Sequence, residues 1–257
     1  MGKLFELNLA TIDPAAPELA ARWGLGLEVD EFCTAMDMDE PELFAPRDAL
    51  VRSYGDRARV FHAPYSELFP CAIDPDARAL ARRRLDQAAA LAQSYGMHLM
   101  VAHGNFLPHV YFPVWYVEQS IGFWKEFLTD KPADFRLYLE NVLDPEPALL
   151  RDIVTGVDDP RCRLCLDVGH ANVDCVSQVP PLRWLADWAP LLGHVHLHNN
   201  DRGGDRHWPL GEGSIPIEAL LEALAADAPT ASITLEQSSR TEESLCWLAE
   251  RGWLERP

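Results

Sequence analysis

The segment HVHLHNNDRGGDRHWPLGEG (194–213) concentrates groups that bind cations and move protons. It holds four of the chain's nine histidines, two aspartates and four glycines. Imidazole and carboxylate together form the donor set of Zn²⁺, Mn²⁺ and Fe²⁺ sites. Histidines at 194, 196 and 198 share one face if they lie on a strand. Positions two apart are ~6–7 Å apart along a strand, so the three cannot all reach one ion. His194, the deepest, is expected to be a packed, hydrogen-bonded histidine. The Asp-x-His of Asp205 and His207 then needs a role of its own.

Similar groups recur along the chain. FHAPY holds His62, VAHGN His103, LYLEN Glu140, LDVGH both Asp167 and His170, and TLEQ Glu236. Each closes a short apolar run. Were those ends to converge, unneutralised carboxylates would repel and raise one another's pKa values, a cost that divalent cations remove. Cysteine is absent from the set, which argues against a structural zinc site.

The elements that must position these groups alternate from end to end. Apolar runs at 3–10, 25–32, 57–64, 98–105, 136–142, 162–169, 194–199 and 232–237 read as strands. Helical patterns fall near 17–23, 42–54, 75–95, 114–129, 146–155, 181–189, 216–227 and 240–251. The third is the clearest: Ala81, Leu85, Ala88, Ala92 and Tyr95 follow the 3.6-residue period, arginines take the other side, and Gly96 is a stop. At 114–129, Trp115, Ile121, Phe123, Trp124 and Phe127 read as a core-facing side. Eight β-then-α units predict an α/β fold, a single-domain (β/α)₈ TIM barrel over residues 1–257. An open parallel sheet is the alternative, but it would carry a Gly-rich phosphate turn after its first strand, and LNLATIDPAAP has no glycine. In a barrel the working residues stand at the C-terminal ends of the strands. The unusual polar residues fall at those ends.

Composition narrows the partners. Forty acidic residues against 22 basic give a net charge of −18. Affinity for a nucleic-acid backbone needs excess Lys and Arg on the binding face, so DNA is disfavoured and a small-molecule substrate expected. Arg82-Arg83-Arg84 reads as the solvated side of a helix. Only Lys3, Lys125 and Lys131 occur, none near the end of an expected strand, which disfavours Schiff-base chemistry. Cys162 and Cys165 form one C-x-x-C inside a strand-like run and read as ordinary thiols of a reducing, cytoplasmic environment. No signal peptide or membrane span is indicated. A homodimer is an expectation for an acidic barrel.

In that order, HAPY, HGN, LEN, LDVGHAN, HLHNN, DRHWPLGEG and TLEQ resemble the xylose-isomerase-like barrel superfamily, which holds sugar isomerases and epimerases alongside endonuclease IV. The likeness runs from strand three to strand eight. In the epimerase branch it implies one metal on Glu140, Asp167, His196 and Glu236, the two glutamates serving as acid and base. In the endonuclease IV branch it implies two more metals. His62 and His103 would bind one, with Glu140 bridging; His170, Asp205 and His207 would bind the other. All nine positions are filled. The resemblance therefore implies up to three divalent metals, zinc first among them and Mn²⁺ or Fe²⁺ as alternatives. Their chemistry would be phosphoester hydrolysis, with isomerisation or epimerisation through Glu140 and Glu236 as the alternative.

Three features depart from endonuclease IV: little room for DNA-penetrating loops, the negative charge, and Ser66-Glu67 after Tyr65. Relatives with such clusters include phosphodiesterases of small molecules, cobamide-remodelling enzymes among them, so a cobamide enters as a candidate substrate. Tyr65, His198, Arg202, Arg206 and Trp208 are the expected substrate-binding residues.

Overall fold

A computed structural model describes residues 5–257. Residues 1–4, Lys3 and the start of the expected first strand among them, lie outside the described residues. The strands are β1 (Leu7–Ala10), β2 (Gly26–Val29), β3 (Ala58–His62), β4 (Leu99–His103), β5 (Arg136–Glu140), β6 (Cys162–Asp167), β7 (Leu192–Leu197) and β8 (Ser232–Leu235). They close into one parallel barrel in sequence order, β8 returning to β1. Around it lie α1 (Ala16–Trp23), α2 (Ala35–Asp39), α3 (Pro41–Tyr54), α4 (Pro75–Ser94) and α5 (Pro113–Leu128). The ring continues with α6 (Ala148–Val157), α7 (Val168–Asn172), α8 (Pro181–Trp188), α9 (Ile217–Asp227) and α10 (Thr241–Glu250). The chain is a (β/α)₈ TIM barrel.

Local chemistry explains the ends. Asp74 caps α4 by accepting from Asp76 N at 2.8 Å, Pro75 occupies its first turn, and Gly96 follows at φ +80°. Its buried side carries Ala81, Leu85, Ala88, Ala89 and Ala92. On α5 the buried set is Tyr116, Ser120, Phe123, Trp124, Phe127 and Leu128. Trp115 and Ile121, expected in the core, are only half-buried. The short helices α2 and α7 were not expected. Residues 168 and 169, read as the end of the sixth strand, open α7 instead, because the Asp167 side chain accepts from His170 N at 2.6 Å and caps a helix there.

The main core lies between barrel and helices, with Trp124, Trp184 and Trp188 fully buried. Inside the barrel the filling is uneven. Val60, Val101 and Cys165 from β3, β4 and β6 form a small apolar cluster against Leu99 and Tyr138. The side built by β7, β8 and β2 instead buries His194, Ser232, Thr234 and Glu28. All six cysteines are free thiols, and Cys162 and Cys165 are buried on β6.

Candidate metal centre

Register sets the site. His103 on β4 pairs with Glu140 on β5, and Asp167 on β6 pairs with His196 on β7. His62 closes β3 and Glu236 follows β8. The strand ends thus bring acids and imidazoles to one rim. A cavity of about 760 Å³ opens over them, lined among others by His62, Tyr65, His103, Glu140, His170, Asp205, His207 and Glu236.

Three groups can be distinguished. In the first, Nε2 of His62 and Nε2 of His103 each lie 3.4 Å from Glu140 Oε2. In the second, His196 Nδ1 lies 3.5 Å from Glu140 Oε1, 3.8 Å from Asp167 Oδ2 and 3.2 Å from Glu236 Oε2. In the third, His170 Nε2 lies 3.4 Å and His207 Nε2 2.7 Å from Asp205 Oδ2. Glu140 serves the first two groups with its two oxygens. All nine residues expected to ligate metal therefore meet at this rim.

The donors fit divalent ions. Glu140 Oε2, His196 Nδ1 and Glu236 Oε2 are buried with no hydrogen-bond partner. Buried polar atoms left unpaired cost about 1–3 kcal/mol each, so such a cluster calls for a further group. Two ligands of a tetrahedral zinc at bond lengths of about 2.0–2.1 Å stand about 3.3 Å apart. The separations just given bracket that value, and the donors are nitrogen and oxygen throughout.

Hydrogen bonds aim most of the rings. His62 Nδ1 donates to Ala63 O (3.0 Å), His170 Nδ1 to Asn141 O (2.9 Å) and His207 Nδ1 to Glu236 O (2.6 Å), so each presents Nε2 to a carboxylate. Asn141, from the LEN triplet, also exchanges hydrogen bonds with the Asp167 backbone at 2.9 and 3.0 Å, tying the ends of β5 and β6 together. Burial pushes His103 down to about 3, so its ring is neutral and available. Burial opposes charge on His207 too, but its bond to Asp205 and the charge of Glu236 outweigh that and lift it to about 10.

The expected substrate-binding residues divide. Tyr65 is at the cavity edge, its ring stacked on His103 with centroids 4.3 Å apart. His198 is not accessible: it is fully buried, its Nε2 3.1–3.2 Å from both Asp167 oxygens and its ring stacked on His207 at 4.1 Å. It follows the end of β7, and its ring lies against Gly169, where a Cβ would stand 1.9 Å from it. With Asp205 and His207 it forms a further group of potential ligands. Arg202 pairs with Asp174, and Arg206 lies 3.6 Å from Asp201 and over the Trp208 ring. Trp208 is tied into an antiparallel bridge with Asn199. These three do not line the cavity.

Strand β2 and the loop after it supply residues that carry no motif in the sequence. Asp30, Glu31, Cys33 and Asp37 line the cavity. Cys33 Sγ lies 3.6 Å from His62 Nδ1, close to a set expected to be free of cysteine. Burial, reinforced by the charge of Glu28, raises Asp30 to about 8. Glu31 is held by Thr11 and Tyr54 at 2.8 and 2.5 Å. The alternation in LEVDEF puts Glu28 and Asp30 on one face of the strand, but nothing near them in the sequence points to their partners.

Comparison with known proteins agrees with the fold. Among curated relatives, the uncharacterized protein MJ1311 of Methanocaldococcus jannaschii is 26% identical over 70% of this chain, and the match spans 64% of that protein. A probable endonuclease 4 of Mycobacterium ulcerans is 28% identical over 74% of this chain and 77% of its own. Among solved structures, the TTHB071 protein from Thermus thermophilus, soaked with ZnCl₂, superposes with TM-score 0.74 at 29% identity over 95% of this chain and 97% of its own. A D-tagatose 3-epimerase-like protein shares the fold with TM-score 0.75 at 20% identity over 96% of each chain. The family profile described as xylose isomerase-like TIM barrel matches residues 25–256, nearly the whole barrel and every strand end that carries the site, and the chain belongs to that family.

Proposed function

We propose that the chain is a metal-dependent phosphoester hydrolase of the phosphodiesterase type. In this reading it holds up to three divalent ions, zinc the best match to the donors. It acts on a small-molecule phosphodiester, a cobamide among the candidates, rather than on DNA. The observation that carries this is the convergence of His170 and His207 on Asp205. A one-metal epimerase works with Glu140, Asp167, His196 and Glu236 and needs no group around Asp205.

When bound, divalent ions supply Lewis acidity towards phosphoryl oxygens and make a water acidic near neutral pH. The chain's own residues do the rest. Glu140 Oε2, unpaired between His62 and His103, is placed to take the proton of a water entering there. Glu236 Oε2, also unpaired, faces the cluster from β8 and is the second carboxylate for proton transfer. The partly exposed Tyr65 ring offers a face to an apolar or planar part of the substrate. Glu31 on the β2 side of the cavity, with the net charge of −18, disfavours a polynucleotide.

The test is elemental analysis with a two-substrate assay. Close to three ions per chain and product release from a bis-aryl phosphodiester are expected. One ion per chain with interconversion of ketohexoses would overturn the hydrolase reading in favour of the epimerase. That second reading has its own observation: Glu140 Oε1 and Glu236 Oε2 flank His196 Nδ1 at 3.5 and 3.2 Å, two carboxylates at one position.

A further inference from the structure

His196 breaks the pattern of its neighbours. His62, His170 and His207 give Nδ1 to a backbone carbonyl and turn Nε2 to the cluster. His196 turns Nδ1 to the cluster, where it has no hydrogen-bond partner, and places Nε2 3.1 Å from Glu28 Oε1. A carboxylate only accepts, so Nε2 carries a proton, and the neutral ring that a metal needs then has its lone pair at Nδ1.

Glu28 is itself held. It is buried, from β2 on the far side of the barrel interior. Its other oxygen accepts from Thr234 Oγ at 2.5 Å and lies 3.2 Å from His194 Nε2. His194 is fixed in turn by Ser232 Oγ at 2.7 Å from Nδ1 and Thr234 Oγ at 2.9 Å from Nε2. Of the nine expected metal ligands, Glu28 touches His196 by hydrogen bond and ion pair. That ring is its route to the site.

We infer that Glu28 is a positioning residue of the metal centre: it fixes the tautomer and rotation of His196 so that the ring binds metal through Nδ1. The inference rests on metal binding at the Glu140, Asp167, His196 and Glu236 group, which the hydrolase and epimerase readings share, and not on the choice between them. Partners of this kind typically govern metal affinity by about 10- to 100-fold. Glu28→Gln keeps the volume but replaces the anionic acceptor with an amide that can present its NH₂ to Nε2. The ring then loses its reason to keep the proton there.

The experiment uses the full chain, stripped with a chelator and titrated with Zn²⁺ against a competing chromophoric chelator. Two-bond ¹H–¹⁵N correlation of the histidine rings is recorded on the zinc-loaded protein. Wild type is expected to show one histidine bound through Nδ1 with Nε2 protonated, lost in His196→Gln. Glu28→Gln is expected to weaken one zinc site by about 10- to 100-fold and leave the others within about twofold. Glu28→Asp, which keeps the carboxylate, should recover part of the loss; a purely structural Glu28 would not give that order. Zinc bound with Nε2 of His196, or Glu28→Gln titrating like wild type, would overturn the inference while the metal-centre reading stands. Wild type that takes up no zinc would overturn both.

Discussion

The barrel interior has two unlike halves beneath one rim. Below His62 and His103 on their own strands lie Val60 and Val101, which pack with Cys165 of β6 into a small apolar cluster; the two valines offer no hydrogen bonds to the site. Under His196 lie Glu28, His194, Ser232 and Thr234, a fully buried polar network. The difference follows from where each ring finds its orienting partner. His62 donates to Ala63 O, a carbonyl at the strand end, so nothing below it needs to be polar. His196 lies within β7, one residue before its end, where the backbone carbonyls belong to the sheet. Its partner has to come from a side chain across the lumen. One half of the floor can be exchanged on packing grounds alone, whereas the other is part of the site's chemistry.

The largest effect is expected at the rim rather than in either floor. Asp205→Ala with His207→Ala removes two members of the third group and is solvent-accessible enough for the fold to tolerate it. Phosphodiester turnover should fall by well over the roughly 100-fold that outer partners of a metal site command, with about one ion lost per chain. Steady-state kinetics with metal analysis checks this. Unchanged turnover would show that the Asp205 group is not part of the machinery.

The two floors then separate. Val101→Ala should cost about 2 kcal/mol of stability through lost packing, with zinc affinity unchanged. Thr234→Val leaves Glu28 Oε2 and His194 Nε2 short of a hydroxyl and should cost about 1–3 kcal/mol. Unlike the first variant, it should also weaken zinc binding, because Glu28 loosens. Denaturant melts paired with zinc titrations make the comparison. Equal zinc affinities in both variants would erase the distinction between the halves.

A smaller, graded effect is expected from pH. In the metal-free protein burial disfavours charge on His207, but the bond to Asp205 overrides it and holds the ring protonated up to about 10. Metal needs the neutral ring, so that proton must leave on binding. Zinc affinity at the Asp205 group should therefore rise with pH through the neutral range, by up to about tenfold per unit for one displaced proton. At His103, pushed by burial down to about 3, no proton competes at neutral pH and no such slope is expected. Titrations between about pH 6 and 8 resolve the two.

Much of this was legible in residue order. The barrel follows from alternation of apolar runs and helical patterns, and the nine rim residues from the rule that barrel chemistry stands at strand ends. The β2 side was not legible in the same way. Glu28 sits in LEVDEF beside no histidine, and its partners His194 and His196 are 166 and 168 residues away in sequence. A carboxylate that works through a ring on the opposite wall leaves no local signature. His198 differs for the converse reason: its spacing is right for the site, but its ring is fully buried against Gly169, Asp167 and His207. The arginines of the 201–208 loop have the right chemistry for phosphate and the wrong neighbours.

Arg202→Ala tests that last point and should have the smallest effect. Its guanidinium is engaged with Asp174, its Nε donating to Oδ1 at 2.7 Å, and it is absent from the cavity lining. Both partners are substantially exposed, and pairs of that kind contribute about 0–1 kcal/mol. Stability should therefore shift by no more than that, and kcat/KM for a small phosphodiester should stay within about twofold of wild type. A rise in KM of about tenfold at constant kcat would mean that the loop turns inward on substrate and exchanges Asp174 for phosphate. The substrate would then span from the apolar-floored half across the third group, and the cavity's working wall would lie over β6 and β7 rather than over β1 and β2.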